Sequence, residues 1–477
     1  MTETQTRTGL YINGAWRDGK RTLGVWHKYT GELLAELVEA TPENIDEAVS
    51  AAQRAMAERP LTAYQRYEIL KRTQELVAQH QEEIARLIAR EGGKPLVDAR
   101  AEVNRSQQTI LIAAEEAKRI HGETVPLDAA PGSENKVGFY IRVPVGVVAA
   151  ISPFNFPLNL VVHKVAPAIA AGCAVVLKPA SYTPLTAMWL CDLLAEAGLP
   201  PGYINLVVGP GSTVGNQLVR HHGVDMVTFT GSPGVGEQIR REAGLKKVTL
   251  ELGNNSANIV HRDADLATAA RDLALKAFTS AGQFCVSVQR IYVHEDVYDT
   301  FAELMKANAQ TTPVGNPEDQ RTIVGPLIDI KEAERIEEWI HEATAGGATI
   351  LAGGERQGNI VLPTVLVNTS RDMKVIRQEV FGPVVSLVPY RDFREAVDMV
   401  NDTDYGLQAG VYTKDIGTAW YAIQHIRAGS VHINDTSAYR ADLMPYGGVK
   451  RSGLGREGPR YAVEEMTEIR MVSFKLA

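Results

Sequence analysis

Val145-Gly146-Val147-Val148-Ala149-Ala150-Ile151 opens the stretch that decides the fold, and Val248-Thr249-Leu250-Glu251-Leu252 closes it. Between them, short apolar runs alternate with helical ones. Leu158 to Ala171 reads as an apolar helix, Ala174 to Lys178 as a strand and Pro184 to Ala197 as a helix. Ile204 to Val208 and Met226 to Thr230 read as further strands, each followed by a helix, Ser212 to His221 and Gly234 to Ala243. Strands that are apolar along their whole length are covered on both faces. Alternating with helices, they predict a parallel sheet with right-handed crossovers. Five such strands predict an α/β, doubly wound nucleotide-binding domain, with ligands beyond the carboxyl ends of the strands.

Upstream, Thr41 to Ile120 reads as mostly helix, starting where Thr41 can cap and Pro42 can take the first helical position. Thr124 to Arg142 is polar and extended, and it interrupts the first domain. After Asn258 the alternation resumes. Ile259-Val260, Arg290 to Val293 and Val384 to Val388 read as strands, and Leu266 to Thr279 and Tyr298 to Ala309 as helices. This predicts a second α/β domain. Glu468 to Lys475 reads as a strand that joins Thr124 to Arg142 in an arm reaching another subunit.

At 477 residues the chain is too long for one compact core. A net charge of −8 argues against nucleic acid or an acidic membrane surface as partner. No apolar run reaches the roughly 18 residues of a membrane span. Met1 to Gly9 has no apolar core, so no signal peptide is expected. Three cysteines form no disulfide framework and fit a reducing cytoplasm.

Cys285 lies in Ser280-Ala281-Gly282-Gln283-Phe284-Cys285-Val286-Ser287, a small polar loop where a substrate can approach a thiol. Cys173 and Cys191 lie in apolar settings and read as inert small hydrophobes. Phe229-Thr230-Gly231-Ser232-Pro233-Gly234 leaves a strand and opens a helix. It suits a phosphate at a helix N-terminus, although a plain strand-to-helix turn would look the same. Lys178 ends a strand, where it can reach a nucleotide or stay solvated. Glu251 ends the fifth strand between apolar residues. It reads either as a general base with a raised pKa or as a carboxylate tied by backbone hydrogen bonds. Asn155, after the first strand, reads as an oxyanion donor or as a turn residue. Gly453-Leu454-Gly455-Arg456-Glu457-Gly458 matches a dinucleotide pattern but lacks the strand and helix it needs, and reads as a structural loop.

Taken with Lys178-Pro179-Ala180, Glu379-Val380-Phe381-Gly382-Pro383 and Pro445-Tyr446-Gly447-Gly448-Val449-Lys450, these segments resemble the aldehyde dehydrogenase superfamily over nearly the whole chain. The resemblance is to NAD(P)-dependent, non-acylating members, similar to the lactaldehyde and non-phosphorylating glyceraldehyde-3-phosphate dehydrogenases. It implies the aldehyde dehydrogenase fold. A Rossmann-like cofactor domain would span 1–123 and 143–252 with part of 440–460, and an α/β catalytic domain 253–439. A β oligomerisation arm would span 124–142 and 461–477. It implies a homodimer or homotetramer, an aldehyde substrate, NAD or NADP as cofactor and no metal. Cys285 is implied as nucleophile, Asn155 as oxyanion donor and Glu251 as the base that activates water. Lys178, Ser181, Phe229, Gly231, Ser232, Glu379 and Phe381 are implied around the cofactor.

Asn254 stands where the family has a second glycine, and Gln378 where an acidic residue is common. Ser181 stands where many NAD-preferring members carry Glu, which leaves NADP open. Arg105, Phe284 and Arg440 fall in regions that line the aldehyde entrance in the family, so a short polar, hydroxylated or anionic aldehyde is expected. Surface arginines in ordinary salt bridges are the plainer reading. Three rivals remain: a CoA-acylating semialdehyde dehydrogenase, a non-enzymatic protein of the same fold, and a nucleotide-free thiol hydrolase.

Overall fold

The computed structural model describes residues 7–476. Met1 to Thr6, part of the segment read above for a leader, lie outside the described residues. Four helices, Pro42–Glu58, Ala63–Gln79, Gln81–Gly92 and Leu96–Ala117, precede the first sheet. The Thr41 hydroxyl accepts from the Asn44 N–H and the Asn44 side chain accepts back from Thr41, so the expected cap is a full capping box.

The first sheet has the strand order 15–17, 10–12, 204–206, 174–178, 147–151, 226–230, 247–251, 453–454. Its five central strands are parallel, as the alternation predicts. Three edge strands, Leu10–Ile12, Ala15–Arg17 and Gly453–Leu454, are antiparallel, so the sheet is mixed rather than purely parallel. The last of these corrects the loop reading of the glycine run. Gly453 pairs with Glu251, and Gly458 leads into the helix Pro459–Glu465. The helix after Ile204–Leu206 begins as a π-helical turn, Gly211–Gly215, before Asn216–Arg220. The helix Asn159–Ala171 is buried at every position, which is why its sequence is apolar all round.

A second sheet of seven strands runs in the order 349–352, 364–367, 384–390, 290–294, 257–260, 408–412, 430–433. Four of these strands escaped the sequence reading. A third, antiparallel sheet joins Thr467–Lys475, Lys136–Pro144 and Thr124–Val125. Val463 and Met466 are buried in the first core, and the strand Thr467–Lys475 follows them. Val137, Ile141, Ile469, Met471 and Phe474 stand exposed on it. No helix among the described residues is long and apolar enough to cross a membrane.

The carboxyl ends of the first sheet carry Ile151, Lys178, Thr230 and Glu251. Asn155 follows the first of these strands, and its side-chain amide reaches the loop that carries Cys285.

Candidate active site

The helix Leu266–Phe278 ends before three consecutive left-handed residues, Ser280 (φ 51°), Ala281 (φ 55°) and Gly282 (φ 68°). Each non-glycine in this region costs roughly 1–2 kcal/mol, so the turn needs outside support. Asp98 supplies it by accepting from the Ser280 N–H at 3.2 Å and the Ser280 hydroxyl at 3.0 Å. Gln283 accepts from the Ile328 N–H at 2.9 Å, and its amide donates to the Ser280 and Pro326 carbonyls. A Cβ on Gly282 would overlap the Gly382 carbonyl, so only glycine fits. The result is a rigid loop that presents Cys285 half-exposed, while Cys173 and Cys191 are buried.

Cys285 Sγ lies 2.9 Å from Tyr446 Oη. Both line a cavity of about 170 Å³ with Arg105, Phe156, Lys276, Phe284 and Arg440. That volume falls below the roughly 300 Å³ at which drug-sized pockets begin, and it suits a short substrate. Burial pushes the Cys285 thiol up to about 12; Tyr446 and Arg440 pull it down, while Glu379 and Glu251 push it up.

Both Glu251 carboxyl oxygens are buried and have no hydrogen-bond partner among the described residues. The alternative of a carboxylate tied by backbone N–H groups is therefore not what the fold builds. Burial and the neighbouring Glu457 hold the Glu251 carboxyl well above the usual range, against Arg440, Lys164 and Arg456. Lys164 and Glu457 were not singled out from the sequence. Lys164 Nζ donates to Glu457 at 2.8 Å and to Thr230 at 2.7 Å. Burial alone would raise Glu457, but Lys164 and Arg440 outweigh it and bring the carboxyl down to about 2. A lysine inside an otherwise apolar helix was the available signal, because a buried cation needs a partner.

Asn155 donates its amide N–H to the Gln283 carbonyl at 3.0 Å, and its Oδ1 is buried without a partner. The Cys285 backbone N–H has no acceptor among the described residues. These two donors belong to one loop junction.

On the cofactor side, Lys178 is 3% exposed, and its Nζ donates to the Pro179 carbonyl at 3.1 Å. Burial lowers it to about 8. A buried ammonium bonded to one carbonyl has donors left for a ligand. The Ser181 hydroxyl donates to the Gly209 carbonyl at 2.9 Å. The Phe229 ring covers Gly231, where a Cβ would overlap it. The helix Pro233–Glu242 starts after Ser232, whose side chain makes no capping bond, so the N–H groups that follow Pro233 carry no side-chain cap and fit a phosphate. Glu379 accepts from the Asn254 N–H at 2.9 Å and lies so close over Gly253 that a Cβ there would overlap it. Asn254 thus keeps a backbone donor for Glu379 where the family has glycine. Burial raises the Glu379 carboxyl to about 7. Phe381, at φ 52°, packs edge-on against Phe154 at 5.9 Å. These groups fit a bound nicotinamide dinucleotide.

Of the two arginines only Arg440 is buried; the Arg105 side chain is 32% exposed and forms an ion pair, as the plainer reading expects. Arg105 grips Asp442 through Nε at 3.2 Å and Nη2 at 2.8 Å. Arg440, with its side chain 8% exposed, donates to Glu457 at 3.2 Å, lies 3.1 Å from His163 Nε2 and stacks 3.6 Å over the Tyr446 ring. Its Nε is buried without a partner.

A doubly wound sheet facing a cysteine loop, with a buried carboxyl and a helix N-terminus at its strand ends, is the architecture of a nicotinamide-dependent oxidoreductase. A family model, the Aldehyde dehydrogenase family, matches residues 16–472. The chain belongs to that family and is an NAD(P)-dependent aldehyde dehydrogenase. It is 52% identical over 468 residues to a 3-sulfolactaldehyde dehydrogenase from Priestia aryabhattai, covering 98% of each chain. Among solved structures, it resembles aldehyde dehydrogenase 21 from Physcomitrella patens in complex with the reaction product succinate. That likeness has a TM-score of 0.95 and 40% identity and covers 99% of both chains. It also resembles an NADP-dependent glyceraldehyde-3-phosphate dehydrogenase from Bacillus halodurans complexed with NADP. Here the TM-score is 0.96 and the identity 38%, over 99% of this chain and 100% of that one.

Proposed function

We propose that this chain oxidises a short anionic aldehyde to its acid, with Cys285 as nucleophile and 3-sulfolactaldehyde as the best-supported substrate. The charge balance behind the cavity carries the substrate class. Arg105, Arg440 and Lys164 are three cations set against two ionised carboxylates, Asp442 and Glu457. Glu251 and His163 are held toward their neutral forms by burial. Asp98, Glu102 and Lys276 also line the cavity, but Glu102 is paired with Lys94 and Asp98 faces Lys276, so a positive excess remains and a bound sulfonate or carboxylate completes it. The sulfonated aldehyde in the name of the Priestia relative and the succinate bound to the moss enzyme support the same class.

In this reading the Cys285 thiolate forms a bond to the aldehyde carbon, and the carbonyl π pair moves to oxygen. The Asn155 amide, turned from Gln283, and the Cys285 N–H hold that oxygen. A nicotinamide held by the residues named below would supply the hydride acceptor that turns this adduct into a thioester. Glu251 then takes a proton from water, which attacks the thioester, and Cys285 leaves as thiolate. Keeping Glu251 supports hydrolysis over transfer to CoA. Lys178, Ser181, Phe229, Gly231, Ser232, Glu379 and Phe381 hold the cofactor. The domain division given above, a homodimer or homotetramer formed through the apolar arm, and a reducing cytoplasm for the three free cysteines belong to the same proposal.

The test compares 3-sulfolactaldehyde with neutral lactaldehyde. kcat/KM is expected to favour the sulfonate by roughly 10- to 100-fold, the worth of one charge-assisted hydrogen bond. Equal or better turnover of the neutral aldehyde would overturn the substrate class. Arg105→Ala and Arg440→Ala are each expected to raise KM for the anionic aldehyde about tenfold more than for the neutral one. Taking the ratio of the two substrates cancels general damage to the network. Ser181→Glu is expected to weaken NADP binding about tenfold or more relative to NAD, because a carboxylate there repels a 2′-phosphate. Titration of both cofactors by fluorescence checks it, and unchanged NADP affinity would remove Ser181 from the ribose site.

A further inference from the structure

Tyr446 is the one side chain that hydrogen-bonds the Cys285 sulfur among the described residues. Its ring is buried with Phe284, Val286 and Leu407. Three separate contacts fix its place. The Tyr446 N–H donates to the Glu457 carbonyl at 3.1 Å, and the Glu457 N–H donates back at 2.7 Å. The Glu457 carboxylate holds Arg440, and the Arg440 guanidinium lies 3.6 Å over the Tyr446 ring. Backbone pair, ion pair and stack close a ring of contacts, so the phenol oxygen has little freedom to leave the sulfur.

The direction of that hydrogen bond follows from acidity. A thiol ionises near 8.5 and a phenol near 10, so when one proton is lost the sulfur carries the charge and the phenol keeps its hydrogen. A cation on the ring face draws electron density from the phenol and strengthens its O–H as a donor. The charged and titratable groups acting on the sulfur are Tyr446, Arg440, Glu379 and Glu251, and Asp98, Glu102, Arg105 and Lys276 line the same cavity. Glu379 and Glu251 oppose a thiolate, and Arg440 acts through the Tyr446 ring.

We propose that Tyr446 is a catalytic residue, whose hydroxyl donates to the Cys285 thiolate and keeps it ionised and aimed into the cavity until it attacks. The thiol's proton leaves to solvent before the attack. The S–C bond then forms, the carbonyl π pair goes to oxygen, and the phenol retains its proton throughout. The sulfur of the adduct is a weak acceptor, so the hydrogen bond serves the thiolate and is released as the bond forms.

This rests on Cys285 as nucleophile, so the test reads the thiol itself and needs no aldehyde. Alkylation of Cys285 by iodoacetamide is followed by mass spectrometry across a pH series, in wild type and in Tyr446→Phe. Loss of the donor is expected to move the rate–pH curve upward by about one to two pH units. A less acidic thiolate is also intrinsically more nucleophilic, which offsets part of the loss. The net slowing at neutral pH is therefore about three- to tenfold. Tyr446→4-aminophenylalanine keeps the ring and weakens the donor without adding an acidic group, and it is expected to move the curve the same way by less. It decides the question alone if the phenylalanine variant fails to fold. Unchanged curves in both variants, or faster alkylation of Tyr446→Phe at neutral pH, would overturn the proposal. Failure of the nucleophile assignment shows separately, as an active Cys285→Ala enzyme.

Discussion

Cys285→Ala is expected to lower kcat by about 10⁴-fold or more, while the fold and cofactor affinity persist. The size follows from the covalent step. Without sulfur there is no bond to the aldehyde carbon, and the Asn155 amide and loop N–H have no adduct to hold. The alanine should be tolerated because the loop is shaped elsewhere, by Asp98 on Ser280, by Gln283 on Ile328 and by the close approach of Gly282 to Gly382. Cys173→Ala and Cys191→Ala should leave kcat nearly unchanged, since both thiols are fully buried. The measurement is steady-state NAD(P)H formation alongside cofactor titration and thermal melting. Full activity in Cys285→Ala would end the thiol mechanism.

Glu251→Gln is expected to slow steady-state turnover by about 10²–10⁴-fold, the worth of a placed general base. Its effect on stability should be small. The Glu251 carboxyl makes no hydrogen bond and is held toward its neutral form by burial, so a neutral amide of the same shape replaces like with like. In the proposed mechanism hydride transfer precedes the hydrolysis that Glu251 would serve. The variant should therefore release one NAD(P)H per site in a burst before the slow phase. The pH dependence carries the same signature. A carboxyl whose pKa is raised is protonated, and useless as a base, below that value, so wild-type deacylation should climb as the pH rises through a value well above the ordinary carboxylate range. The Gln variant should lose that climb. Unchanged turnover, or a variant with the wild-type pH profile, would take Glu251 out of the role.

The alternation of apolar strands and helices from Val145 to Leu252 was enough to place Asn155, Lys178, Thr230 and Glu251 at the carboxyl ends of one sheet. Period and polarity are local properties, and a parallel α/β sheet writes them directly into the chain. The second sheet was less legible. Thr349–Ala352, Thr364–Val367, Gln408–Tyr412 and Ser430–Ile433 are short, and two of them are edge strands with mixed exposure, so their pattern is weak.

The same limit applies to the site. Cys285 could be chosen from three cysteines because a Gly-Gln loop differs from an apolar helix in composition alone. The strand-ending Glu251 was also readable from its place along the chain, whereas Ser181 entered only through the family resemblance. Whether Glu251 was a tied carboxylate or an unpaired one was not. That depended on which atoms reached it across the sheet, and Gly453, about two hundred residues away in sequence, is its neighbour there.

Determined by the sequence alone, then, are the fold class, the strand ends and the thiol. The tertiary structure decided the network of Lys164, Glu457, Arg440, Asp442 and Tyr446 around that thiol. Its members come from one buried helix and one C-terminal segment, and nothing in either stretch names its partner in the other. Buried charges are tolerated only when paired, and the pairing is a property of distances in three dimensions. The Arg440 loop reads like a surface loop along the chain. Folded, it lays a guanidinium over the ring of the tyrosine that touches the sulfur.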